Sequence, residues 1–243
     1  MKAKKILVVT AAGSGVRMGA AVPKQFLELG GKPVLRRTIE AFVRACPDIK
    51  VITVLPKDHI PFWKDYCRHN EFYCPQTIVT GGITRFHSVR NALAHVPEDS
   101  VVAIHDGVRP LVSESLVRGM FEKMESGRIR ALIPVVPMVD TLKVLDRVRD
   151  DLGNEILAES VGERVDRSRI FGAQTPQLFR AEDLRAAYSQ AFDVAFTDDA
   201  SVAMAKGIPL SFCEGERYNF KLTTPEDLAL AEMIVSCQDR AVR

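Results

Sequence analysis

Residues 5–19 read Lys5-Ile6-Leu7-Val8-Val9-Thr10-Ala11-Ala12-Gly13-Ser14-Gly15-Val16-Arg17-Met18-Gly19. A short β-branched run is followed at once by a string of small residues. The apolar part, Ile6 to Val9, is too short for the hydrophobic core of a secretion signal, so it reads as a first strand. The loop after it lacks bulky Cβ substituents, which lets several backbone N–H groups converge on an anion. Its spacing is Gly13-x-Gly15-x-x-x-Gly19, neither GxGxxG nor the GxxxxGK[ST] P-loop, which argues against a dehydrogenase and a P-loop NTPase. The second strand reinforces the first exclusion, because it ends at Leu55-Pro56-Lys57 rather than in a ribose-binding acid.

Two cations stand beside the loop: Arg17 within it, and Lys24 in Pro23-Lys24-Gln25-Phe26. A triphosphate is strongly anionic, and attack at its α-phosphorus spreads charge over equatorial oxygens. Fixed cations aimed there lower the barrier.

Working outward, β-branched runs alternate with amphipathic ones. Strands are expected at 5–10, 50–55, 76–80, 101–106 and 130–136, and helices at 33–46, 58–69, 84–95 and 113–125. In the first helix Leu35, Ile39, Phe42 and Val43 share one face. Such β-α-β repetition predicts a mostly parallel sheet with helices on both faces and ligands at the carboxyl ends of its strands. The run Val102-Ala103-Ile104-His105-Asp106-Gly107 ends a strand abruptly in an acid. There Asp106 can hold a hydrated Mg²⁺ or a ribose hydroxyl, or simply make a turn. Arg109 pairs with a nearby carboxylate in the simplest reading.

The alternation breaks at about 139–161, a charged, strand-like stretch with a turn at Asp150-Asp151-Leu152-Gly153-Asn154. Leu142, Val144 and Val148 before the turn, with Ile156 and Val161 after it, read as a long hairpin. A lone hairpin is marginal in water. It must lie on its own body or on another subunit, and the second is the expectation. Helices follow near 182–190 and 198–206, then a strand at 209–213. A closing helix starts at Thr224-Pro225-Glu226-Asp227, where a capping threonine, a first-turn proline and acids suit a helix start.

With 243 residues, 47% of them hydrophobic, the chain can build one substantial core, and a single domain with an arm is expected. A net charge of +2 argues against a nucleic-acid scaffold or a polybasic membrane binder. Five scattered cysteines without a CxxC pair suit a reducing, cytoplasmic setting. No run approaches the ~20 apolar residues needed to span a bilayer.

These pieces together resemble the 2-C-methyl-D-erythritol 4-phosphate cytidylyltransferase family of the non-mevalonate isoprenoid pathway. The resemblance rests on AAGSGVRMG with PKQF at 11–26, GGITRFHSV at 81–89, HDGVRP at 105–110, VDTLK at 139–143, VDRSRIFGAQTPQLF at 165–179, TDDAS at 197–201 and NFKLTTPEDLALAE at 219–232. It implies a Rossmann-like nucleotidyltransferase sheet that joins CMP from CTP to a polyol phosphate and releases pyrophosphate. Ala11, Ala12, Gly13 and Gly15 would hold the nucleotide, while Arg17 and Lys24 stabilise the transition state. Gly82 and Ser88 would select cytosine with Arg85 nearby, and Gly107 would lie against the nucleotide. Asp106 would serve ribose, the incoming substrate or a divalent ion such as Mg²⁺, directly or through water. Thr141, Arg167, Thr197 and Lys221 would form the acceptor pocket. The hairpin would be an arm exchanged within a homodimer, so Thr141 and Arg167 would complete the partner's site. Two positions depart from common family usage: Ile83 stands where an acid often follows the paired glycines, and Gly107 where alanine is frequent. A cytidylyltransferase for ribitol 5-phosphate or another polyol phosphate, and a non-catalytic nucleotide sensor, are the rival readings.

Overall fold

The computed structural model describes residues 3–13, 22–160 and 165–241. Strand β1 (Lys4–Thr10) leads to a small hairpin, β2 (Glu28–Leu29) and β3 (Lys32–Pro33), and then to helix α1 (Val34–Ala45). The regular alternation follows: β4 (Lys50–Leu55), α2 (Ile60–His69), β5 (Gln76–Thr80), α3 (Arg85–Leu93), β6 (Ser100–Asp106), α4 (Glu114–Glu125) and β7 (Ala131–Pro137). Arm strands β8 (Leu145–Arg149) and β9 (Glu155–Glu159) precede β10 (Phe171–Ala173) and β11 (Gln177–Arg180). The chain closes with α5 (Ala181–Tyr188), α6 (Asp199–Ala205), β12 (Leu210–Glu214) and α7 (Pro225–Ala241). Strands β4 and β5 fall on the expected residues, and β1, β6, β7 and β12 each lie within a residue of theirs. The small β2–β3 hairpin has no sequence counterpart among the expectations.

The main sheet runs β10-β7-β11-β6-β1-β4-β5, with β12 also on β7. Pairs β1–β4, β1–β6, β4–β5 and β7–β12 are parallel; β11 is antiparallel to both β6 and β7, which it separates. Alternation along β1 divides the core. Leu7 and Val9 face a cluster containing Leu35, Phe42, Trp63 and Phe121 from α1, α2 and α4. Ile6 and Val8 face the other, with Phe86, Val89, Leu184 and Val202 from α3, α5 and α6. Helices thus cover both faces, as a strand pattern apolar on both sides requires. A third cluster, with Leu29, Val108, Leu222 and Val235, seats α7.

Helix starts follow local chemistry. Ser113 Oγ accepts from Leu116 N at 3.0 Å and caps α4. At α7, Thr224 Oγ1 accepts from Asp227 N at 3.4 Å, while the Asp227 carboxylate accepts from the Thr223 and Thr224 amides at 2.7 and 2.9 Å. In the arm, Asp150 Oδ1 accepts from the Leu152 and Asn154 amides at 2.9 and 2.8 Å, and Gly153 supplies a φ of +81°. The turn therefore sits where the sequence places it. All five cysteines are free. Among the described residues, no helix is long and apolar enough to cross a membrane.

Candidate active site

Three loops meet where parallel strands end. Ala11 N donates to Val54 O (2.9 Å), Gly81 N to Leu55 O (2.8 Å) and Gly107 N to Thr10 O (2.9 Å). These bonds carry the ladder past the strands and draw the loops after β1, β5 and β6 together. Close packing explains the paired glycines. A Cβ on Gly81 would lie 2.4 Å from the Ala12 Cβ, and one on Gly82 2.4 Å from the His87 Cβ, distances that no side chain tolerates. Gly82 N donates to Ser88 Oγ (3.0 Å), which donates to Thr84 O (3.0 Å). The Ser88 hydroxyl therefore shapes the loop that presents Gly82.

A cleft of about 520 Å³ opens above this meeting point. It brings together Ala11, Ala12, Gly13, Lys24, Gly82 and Ser88, and on its far wall Arg85, Asp106 and Lys221. Gly107 lies just behind, against Ala11 and Leu35. Gln25 Nε2 donates to Ala11 O (2.9 Å) and Phe26 anchors in an edge-on contact with Phe62, so the segment carrying Lys24 is pinned at the two residues that follow it. Lys24 Nζ reaches Leu222 O at 3.1 Å. Ile83 also lines the cleft and is 96% exposed. Gly15 and Arg17, and Val161 of the arm, lie outside the described residues.

Asp106 is the electrostatic centre. Its Oδ2 receives Lys221 Nζ (3.0 Å) and Arg109 Nε (3.3 Å), and its Oδ1 faces Arg85 Nε (3.7 Å) and the Thr10 hydroxyl (3.5 Å). Burial by itself would raise the carboxyl pKa. The charges of Arg85, Lys221 and Arg109 outweigh it and hold the group well below the usual carboxylate range. Arg109, read from the sequence as a carboxylate partner, is one, and its Nη1 also ties down Asn219 O at 2.7 Å. Three cations around one carboxylate leave the cleft receptive to anions.

Arg85 is placed differently from a simple ligand contact. Its Nη1 and Nη2 grip Asp199 in two parallel bonds, 2.9 and 2.6 Å. Burial opposes its charge, but Asp199 and then Asp106 keep its pKa raised. Sequence reasoning misses Asp199, because the doubled acid of Asp198-Asp199 reads as a helix start. Asp198 makes that cap, accepting from Ser201 N at 2.8 Å, and its neighbour turns inward.

The acceptor residues are gathered less tightly. A second cavity of about 340 Å³ adjoins the first and shares Lys221 with it; Arg109, Arg217 and Val139 help line it. Arg167 Nη1 donates to Val139 O (2.7 Å), at the rim of that cavity. Thr141 and Thr197 are exposed and line neither cavity.

Small-residue loops and clustered cations at the carboxyl ends of a mostly parallel sheet define the nucleotidyltransferase class of α/β proteins. The family model described as "IspD: 2-C-methyl-D-erythritol 4-phosphate cytidylyltransferase" matches residues 5–237. The chain belongs to that family. A 2-C-methyl-D-erythritol 4-phosphate cytidylyltransferase of Bacteroides thetaiotaomicron is 43% identical over 232 residues, covering 96% of this chain and 100% of its own. The crystal structure of the enzyme so named from Thermus thermophilus superposes with a TM-score of 0.71 at 30% identity, covering 97% of this chain and 100% of that one. The Francisella tularensis structure of the same title gives a TM-score of 0.73 at 29% identity, over 95% and 99% of the two chains.

Proposed function

We propose that this chain is a cytoplasmic, homodimeric cytidylyltransferase that converts CTP and 2-C-methyl-D-erythritol 4-phosphate to 4-diphosphocytidyl-2-C-methyl-D-erythritol and pyrophosphate, a step in isoprenoid precursor synthesis. One observation carries it: the loops after β1, β5 and β6 and the cations Lys24, Arg85 and Lys221 converge on a single cleft. Family membership names the substrates.

The acceptor phosphate is already ionised at neutral pH, so its oxygen can attack the α-phosphorus in line without a general base, and pyrophosphate leaves. Catalysis is then positioning and charge stabilisation. Gly82 and Ser88 frame the base, Asp106 takes the ribose side, and Lys24 with Arg17 neutralises the crowded phosphorus. Lys221, shared by both cavities, stands where donor and acceptor phosphates meet, with Thr141 and Arg167 supplied from either side of the arm and Thr197 completing the acceptor side.

Among the described residues, no group of three His, Cys, Asp or Glu side chains could hold a metal. Asp106 offers one ionised carboxylate. With Arg85, Arg109 and Lys221 already around that carboxylate, it fits a hydrated Mg²⁺ held largely by the triphosphate and met through one of the several waters Mg²⁺ usually keeps. Bound there, the ion would add charge neutralisation along the phosphates.

The arm supports the dimer. Strands β8 and β9 form a two-stranded sheet of their own, with Leu145, Val148, Ile156 and Leu157 exposed. Pyrophosphate release with CTP, tried with the erythritol phosphate, ribitol 5-phosphate and no acceptor, tests the whole reading. Turnover specific to the first acceptor is expected; preference for ribitol 5-phosphate, or CTP binding without turnover, would replace it. Lys24→Ala and Arg17→Ala should each fold and lose about a hundredfold in kcat.

A further inference from the structure

Asp199, in the first turn of α6, is fully buried, and three polar groups end on its carboxylate. Arg85 binds both oxygens through its two terminal nitrogens, and the Tyr188 hydroxyl donates to Oδ1 at 2.5 Å. A guanidinium is planar, so gripping it at two points fixes its plane as well as its place. The remaining nitrogen, Nε, is then the edge turned to Asp106 Oδ1, 3.7 Å away. Arg85 is 30% exposed and lines the nucleotide cleft; Asp199 does not line that cleft.

The distribution of charge on Asp106 gives the arrangement its purpose. Lys221 and Arg109 both pull on Oδ2. Arg85 is the cation that faces Oδ1, and so sets the tilt of the carboxylate from the other side. If Arg85 were loose, it could swing fully onto Asp106 or out toward bound phosphates, and the carboxylate would follow its other partners.

We infer that Asp199 is a positioning residue of the nucleotide site, locking the Arg85 guanidinium so that Asp106 is presented to the nucleotide in one orientation. This rests on the cleft being the CTP site. The lock joins three elements distant in sequence: the start of α3, the end of β6 and the start of α6. Lys221 and Arg109 hold the other oxygen, Oδ2, so the acceptor side should feel the loss less than the nucleotide side.

The test measures CTP affinity by calorimetry, and KM for each substrate, in Asp199→Asn and Tyr188→Phe, well below their melting temperatures. Asp199→Asn should raise the CTP Kd and KM about tenfold, and Tyr188→Phe about threefold, in line with losing the charge that grips Arg85 or one of the hydrogen bonds that hold that charge in place. The acceptor KM should stay within about threefold in both. A purely structural Asp199 lowers the melting temperature yet leaves CTP affinity within about twofold in the folded variants, and that result overturns the inference. Equal weakening for both substrates also overturns it. Should Asp199→Asn fail to fold, Tyr188→Phe decides alone. Wild-type protein that binds CTP without releasing pyrophosphate would defeat the transferase reading while the Kd comparison still judges the lock; absence of CTP binding defeats both.

Discussion

His105 shows how much chemistry can sit one residue from an active-site acid without entering it. The ring is fully buried beside Phe42, its centroid 4.8 Å from that ring. Nε2 lies 3.1 Å from Arg109 O, a pure acceptor, so this nitrogen carries the proton. Thr175 Oγ1 accepts from Asp106 N (3.1 Å) and donates to Nδ1 (3.0 Å). The neutral imidazole thus braces the loop that presents Asp106 and Arg109. Burial pushes its pKa down from 6.5 to about 4. Between those values the unfolded chain binds the extra proton and the folded one does not, so stability falls as pH drops, by up to ~3 kcal/mol. Urea midpoints should decline from about pH 6.5 to about pH 4, and His105→Gln should flatten the decline from a lower starting stability. The Asp106 contribution has the opposite kind of partner but the same direction, and disappears only as pH falls below the ordinary carboxylate range. At this scale the strand-end acid and the glycines were legible, because one short run shows both the strand and its abrupt end. Asp199 and Thr175 were not, since their partners lie far along the chain and nothing local marks an inward turn.

Elements were legible where packing and period agree. Strand β4 is an apolar run and β5 a β-branched one, both bounded by turn signals, and α1 has one clear apolar stripe. The β2–β3 hairpin escaped notice because two-residue strands carry no period. The second helix was expected from 58; Pro61 instead leaves a tight turn at Lys57–His59 ahead of α2. The β5–α3 loop makes a sharp demand at Gly82, where the nearest backbone atom to an added Cβ is His87 C at 2.9 Å. Gly82→Ala should therefore cost at least about tenfold in CTP KM, with a lowered melting temperature, because a strained loop can no longer hold its amide toward Ser88. Calorimetry with CTP and a melting curve check it. In the arm, Val148 pairs across from Ile156, while the opposite face carries the ion pairs Arg147–Glu155 and Lys143–Glu159. Leu145 and Leu157 share the ion-pair face and Asp146 the other, so both faces of the arm expose apolar side chains, and exposed ion pairs add little stability. Val148→Asp with Ile156→Asp should leave the main domain folded but give monomers in sedimentation. The acceptor KM should rise with it, since Arg167 and Thr141 flank the arm.

The whole molecule is a two-faced sheet whose functional end is set by three loops, and that much follows from β-α-β alternation. The strand order does not. Strand β11 enters antiparallel between β6 and β7, two strands that would otherwise be neighbours. No local pattern encodes such an insertion; it is decided by which edge remains unpaired once the rest has assembled. Synthesis from the amino end therefore delivers β6 and β7 well before the wedge that joins them. A nascent chain halted short of Gln177 would hold a slot roughly 10 Å wide, two strand spacings, with bare amides and carbonyls on both banks. Any extended peptide of suitable length could occupy it. The late-arriving strand acts as the keystone of an arch, and demand for chaperone shielding should peak just before it emerges from the ribosome.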